Sequence, residues 1–194
     1  MTTRPGLRER KKQAAMNRIQ EKALDLFDEH GFPNVTIEEI AEAAEVSPSS
    51  IYRYFGTKEQ LVLWDELDVE FLDAAGDELS SGPPVQALRN ALAEAMARFY
   101  EGNEALAQRK TRYAMEEPAL RPALLEATEE FSRQVVEGLR RATDPPMDDF
   151  EAEVTAAAMV WAMMAASRHW HRTGYGAPLR DVLERALDIV ERGI

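Results

Sequence analysis

Between Thr36 and Leu61 the chain reads "TIEEIAEAAEVSPSSIYRYFGTKEQL", three helix starts in twenty-six residues. Thr36 opens a capping box: its hydroxyl accepts from the amide of Glu39, whose carboxylate reaches back. That predicts a short helix from Ile37 to Ala44. "EVS" turns the chain. Ser47 is a good N-cap, and Pro48 sits at the first helical position, where its missing N–H costs nothing. A second short helix, Pro48 to Phe55, follows and ends at Gly56, and Thr57 with Gln60 caps a third.

Two short helices joined by a tight turn form a helix-turn-helix, whose second helix enters the major groove with its N-terminal part against base edges. Ile51 and Phe55 lie four apart and suit the core. The other face offers Ser49, Ser50, Tyr52, Arg53 and Tyr54. The small hydroxyls of Ser47, Ser49 and Ser50 allow close approach. Arg53 has the fork that pairs with guanine O6 and N7. The Tyr52 and Tyr54 hydroxyls, Thr36 and Lys58 are expected to hold phosphates, which set register without reading sequence.

Charge is uneven. The chain of 194 residues carries −12 overall, yet its first 22 residues hold seven Lys/Arg against two acids. A basic arm on an acidic body permits polyanion contact at one end, and it also suits a solvated terminus. Binding DNA needs only a local positive footprint, which the arm, Arg53 and Lys58 would supply.

The rest of the pattern is helical, without sustained strand alternation. Ile19, Ala23, Leu26 and Phe27 share one face before Gly31. Trp64, Leu67, Phe71 and Ala75 predict one helix running on from Thr57. Breaks at "SSGPP", "EGNE", "EEP", "TDPPMDD" and "GYGAP" separate further amphipathic helices. The expectation is an all-α protein of about nine helices: a helix-turn-helix domain over 1–60 and a helical body over 61–194. The apolar run Val154–Ser167 is too short to span a bilayer. With no secretory leader and no cysteine, a cytoplasmic protein without membrane contact is expected.

Enzymatic chemistry finds no footing in the motifs. There is no glycine-rich phosphate loop. His169 and His171, two apart on a helix, point about 200° apart and cannot share a metal. No enzyme activity, cofactor or metal is expected.

The stretch from Thr36 to Leu61, with the preceding "RIQEKALDLFDEHGFPNVT", resembles the DNA-binding signature of TetR-family transcriptional regulators over about residues 15–62. One departure is Glu45, where the turn of that family usually carries glycine. A left-handed Glu45 would cost about 1 kcal/mol. The resemblance implies a homodimeric repressor on a palindromic double-stranded operator, controlled by a small apolar effector; the alternative is a DNA-binding regulator without small-molecule input, controlled by a protein partner. It also implies dimerisation through the last two helices, about 147–171 and 178–192. Ala156, Ala157, Ala158 and Ala165 would allow close approach, with Trp161 and Met164 as anchors. Ligand candidates are Phe71, Met96, Phe99, Tyr113, Met115, Phe131, Trp161, Met164 and Trp170, all equally suited to a core. Residues 103–126 and 161–170 resemble a subgroup with an acyl-CoA-binding body. In that reading Arg109, Lys110 or Arg112 faces the anionic end of the CoA, while "QRKTR" also suits a solvated helix face.

Overall fold

The caps and stripes above resolve, in a computed structural model, into helices throughout. The structure describes residues 7–79, 83–99, 103–142 and 147–193. The arm before Leu7 and parts of three expected breaks lie outside them. Among the described residues there are ten α-helices and no strand. They are α1 (Leu7–His30), α2 (Ile37–Ala43), α3 (Pro48–Phe55), α4 (Gln60–Leu63), α5 (Glu66–Glu78), α6 (Pro84–Phe99), α7 (Glu104–Glu116), α8 (Arg121–Ala142), α9 (Asp149–Arg172) and α10 (Leu179–Arg192).

The local signals act as their chemistry requires. Thr36 Oγ1 accepts from the Glu39 amide at 3.2 Å, and the Glu39 carboxylate accepts from the Thr36 amide at 2.8 Å. Ser47 Oγ accepts from the Ser50 amide at 3.2 Å. Gly56 ends α3 at φ +76°, a conformation that costs glycine no Cβ clash. Glu45 does take the left-handed conformation, at φ +53°, without the glycine that would make it free.

Two buried clusters result. One gathers Ile19, Leu24, Phe27, Ile40, Ile51, Phe55, Leu61 and Val62 beneath α1–α4, and takes in Leu120 from the body. The other runs through α5, α6, α8, α9 and α10 around Phe71, Leu88, Leu92, Leu139, Met159, Trp170 and Leu187.

The helix expected to run from Thr57 to Ala75 is broken, which accounts for the tenth helix. Trp64 is extended (φ −64°, ψ 127°), and Asp65 restarts the chain by accepting from the Leu67 amide at 3.0 Å. The carbonyl freed at Trp64 accepts from Gln20 Nε2 at 3.0 Å and from Lys110 Nζ at 2.6 Å. This single oxygen thus joins α1, the α4–α5 break and α7. Gln20, itself buried, also donates to the Leu61 carbonyl at 3.1 Å.

Candidate nucleic-acid interface and effector cavity

The reading face of α3 is set by its buried face. Ile51 and Phe55 are sunk in the core, which turns Ser49, Tyr52 and Arg53 to solvent; Tyr52 is 52% exposed. Ser47 Oγ lies 2.8 Å from Ser49 Oγ and 2.9 Å from Ser50 Oγ, a hydroxyl chain across the helix start. Arg53 Nη2 donates to Ser50 Oγ and to the Tyr54 hydroxyl, each at 3.3 Å, and its guanidinium lies 4.9 Å from the Tyr54 ring centre. These neutral partners hold the fork along the helix face and leave its charge uncompensated. Tyr54 itself is half-buried against the core, and its hydroxyl and ring hold Arg53.

Two residues expected at phosphates are occupied within the fold. Lys58 Nζ donates to the carbonyls of Phe32 at 2.8 Å and Val35 at 2.9 Å, and sits 4.4 Å from the Phe32 ring centre. It closes the corner between α1 and α2. The Thr36 hydroxyl donates to the Glu39 carboxylate while accepting from the Glu39 amide, so its donor is spent on the cap. The glutamate's pKa is lowered by the hydrogen bonds from the Thr36 backbone and side chain, which keeps the cap charged.

The basic run on α7 faces α1. Arg109 donates through Nε to Asp28 at 2.9 Å and through Nη2 to Asp28 at 2.6 Å and Asp25 at 3.0 Å. Arg112 also pairs with Asp28. The Tyr113 hydroxyl donates to Asp28 at 2.7 Å, and its ring meets Phe27 edge-on. Desolvation pushes Asp28 up, but the hydrogen bonds from Tyr113 and Arg109 and the two guanidinium charges outweigh it, leaving its pKa lowered. The same contact has the reverse effect on Tyr113, pushed up to about 12 by desolvation and by its bond to Asp28. Arg109, Arg112 and Tyr113, expected at a ligand, thus form a latch between reading head and body. The sequence pattern hid this because Asp25 and Asp28 lie more than eighty residues away.

A cavity of about 200 Å³ lies between α4, α5, α7, α8, α9 and α10. Phe131, Met164 and Met115 line it, with Leu124, Val160, Met163 and Leu183. Other expected ligand contacts lie elsewhere. Phe71 and Met96 are sunk in the body core, and Phe71 borders a separate groove between α5 and α8. Trp170 is fully buried, its indole donating to the Ala177 carbonyl at 2.7 Å. Trp161 is 44% exposed on the outside of α9. The Phe99 side chain lies outside the described residues.

At the polar end of the cavity only Lys110 is among the residues expected at a ligand. Asp65, Asp68, Lys110, Thr111, Thr128 and Ser167 reach it. Lys110 Nζ, bonded to the Trp64 carbonyl, also pairs with Asp65 Oδ2 at 2.9 Å. The cavity wall and the joint under the reading head therefore share Lys110. One signal was readable: Asp68 stands three and four residues before Phe71 and Leu72, placing a carboxylate on an apolar stripe.

Outside the cavity, α9 and α10 present Phe150, Val154, Trp161 and Ile189 to solvent, with Ala157, Ala158 and Ala165 between them on α9. Ala156, expected on that face, is fully buried in the core instead. No described helix is long and apolar enough to cross a membrane.

A helix-turn-helix head on a helical body with a partly open cavity is the architecture of a DNA-binding transcriptional regulator. Residues 19–63 match the family described as bacterial regulatory proteins, tetR family, and residues 82–194 match the MftR C-terminal domain. The chain belongs to the TetR family. It is 30% identical over 176 residues to the HTH-type transcriptional regulator TcmR of Streptomyces glaucescens, covering 86% of this chain and 77% of that protein. It is 25% identical over 190 residues to Mycobacterium tuberculosis MftR, named for the transcriptional regulation of mycofactocin biosynthesis, covering 95% and 93%. Among solved structures, the SmeT–triclosan complex, of the Stenotrophomonas maltophilia efflux-pump repressor, superposes with TM-score 0.60 at 17% identity over 90% of this chain and 88% of that one. These relatives are regulators of transcription, not enzymes, and members of the family act on operators as dimers.

Proposed function

We propose that the chain is a homodimeric repressor whose hold on a palindromic operator is released by a small, largely apolar ligand in the α4–α10 cavity. The observation that carries this is the Trp64 carbonyl, where Gln20 of the reading head meets Lys110 of the cavity wall. A ligand that moves Lys110 alters the seat of α1 and, through α1, the spacing of the two α3 helices. It shifts the equilibrium only by its preference for the altered conformer.

In this reading residues 1–60 form the head and 61–194 the body. Arg53 reads a base edge, Ser47, Ser49 and Ser50 admit close approach, and Tyr52 meets the backbone. The exposed apolar stripe of α9 with Ile189 of α10 forms the two-fold interface. Phe131, Met164 and Met115 hold the ligand body.

An acyl-CoA fits this geometry less well than a small ligand does. About 200 Å³ is below the ~300–1,000 Å³ of pockets for drug-sized ligands. The arginines that would take its phosphates are held by Asp25 and Asp28. The test selects genomic fragments with the purified protein, then titrates the bound site with small apolar compounds and with acyl-CoA thioesters. Release by small compounds and not by thioesters is expected. Release by thioesters alone would overturn the small-ligand reading, and no selected site would overturn the repressor.

A further inference from the structure

The charges around the cavity do not balance. Among the described residues, its lining holds two carboxylates, Asp65 and Asp68, and one ammonium, Lys110. Lys110 is committed to Asp65 and to the Trp64 carbonyl. Asp65 is committed twice, through Oδ2 to Lys110 and through Oδ1 to the Leu67 amide. Asp68, one turn further along α5, has neither hydrogen bond nor ion pair and feels Asp65 and Lys110 only at a distance. Its residual exposure is onto the cavity and onto an outer groove that it also borders.

That groove is acidic. Glu59 at the start of α4 and Glu126 and Glu130 on α8 line it with Asp65 and Asp68, and Arg133 opposes them while pairing with Glu130. The remaining cavity wall, from α8, α9 and α10, supplies hydroxyls and apolar groups and no charge. Burial and the neighbouring Asp65 raise the pKa of Asp68 to about 7. Asp68 stands unpaired beside Asp65, against an apolar wall on one side, which disfavours its charged form, and an incoming positive charge relieves this.

Resting on the cavity reading above, the geometry points to a small organic cation as the ligand: an apolar body against Phe131, Met163 and Met164, with one ammonium on Asp68. Such a charge would enter the polar end that Lys110 shares and repel it through space, loosening the bond to the Trp64 carbonyl. Ligand charge and release of the reading head then become one event. Anionic ligands meet an acidic groove and an unneutralised Asp68, and are disfavoured.

The test uses three probes of one shape on the full chain: 2-phenylethylamine, 2-phenylethanol and 3-phenylpropanoate. Calorimetric affinities are measured for the wild type, Asp68→Asn and Ala114→Phe, which fills the cavity that Ala114 lines from α7. At pH 8 the amine is expected to bind about tenfold or more tighter than the alcohol, and the acid weakest of the three. Amine affinity should fall about tenfold from pH 8 to pH 6, since the cation needs Asp68 ionised. Asp68→Asn should bring amine and alcohol to parity, and Ala114→Phe should abolish both. Alcohol and acid binding as well as the amine, with all three lost in Ala114→Phe, would overturn the cation proposal and leave the cavity reading intact. Amine binding unchanged in Asp68→Asn would do the same. No binding by any probe, or binding undiminished by Ala114→Phe, would overturn the cavity reading and this inference with it.

Discussion

Arg53 and Arg109 both sit on amphipathic helices, and their partners give them opposite uses. Arg53 has a serine and a tyrosine hydroxyl, which orient its fork and leave its charge for an outside anion. Arg109 has two aspartates, which consume its charge inside the molecule. A basic residue near a functional region is thus not by itself an anion site. What decides is whether carboxylates of the same fold reach it first. The contrast also bears on how so acidic a chain binds DNA: Asp25 and Asp28 of α1 neutralise Arg109 and Arg112 of the body, while Arg53 on α3 keeps its charge.

Removing Arg53 should have the largest effect. Arg53→Ala is expected to cost about 1–3 kcal/mol of specific binding and to relax base preference, with Tm unchanged. Fluorescence anisotropy on the selected site and on a scrambled duplex checks this. Equal losses on both duplexes would remove Arg53 from base readout. Lys58→Ala comes next. It leaves the Phe32 and Val35 carbonyls without their donor and should cost about 1–2 kcal/mol of stability in urea unfolding. A loss confined to DNA binding, with stability intact, would return Lys58 to the phosphates.

Asp28→Asn breaks the other side of the contrast. Its carboxylate is about one-third exposed, so solvent screening holds the expected loss to about 1 kcal/mol. Because the folded pKa of Asp28 is lowered, its contribution is present above the ordinary carboxylate range. It is lost as pH falls through the folded value. The wild-type advantage in Tm should hold from pH 8 to pH 5 and close in stronger acid. Asp68 has the reverse sign. Its folded pKa is raised to about 7, so the folded state binds the extra proton and stability falls as pH rises from about 4 to 7. Ligand-free Asp68→Asn should therefore melt higher than wild type at pH 8, with the gain vanishing by about pH 4. The smallest effect belongs to Glu45→Gly. Relief of the left-handed backbone, about 1 kcal/mol, is partly offset by glycine's chain entropy and the loss of the 3.5 Å contact with Arg18.

The same contrast marks what the sequence could reveal. Thr36, Ser47 and Gly56 act within four residues of themselves, so their caps were readable one by one, and the helix-turn-helix with them. The break at Trp64 was not. Its extended backbone is held by donors from Gln20 and Lys110, 44 and 46 residues away, and no local signal announces it. Apolar stripes identified buried residues without saying which of them border empty space. Phe131 and Met164 reach the cavity, whereas Phe71, Met96 and Trp170 fill the core. Residue type alone marks Thr36 and Lys58 as donors, and only the folded carbonyls and Glu39 show those donors in use.

If α3 reads DNA through Arg53, removing that side chain removes site selection. The most direct test is selection of genomic fragments by the purified wild-type protein and by Arg53→Ala in parallel. One two-fold symmetric site, with half-sites about 34–36 Å apart, is expected to be enriched by wild type and lost with Arg53→Ala. The same site enriched equally by both proteins would contradict it.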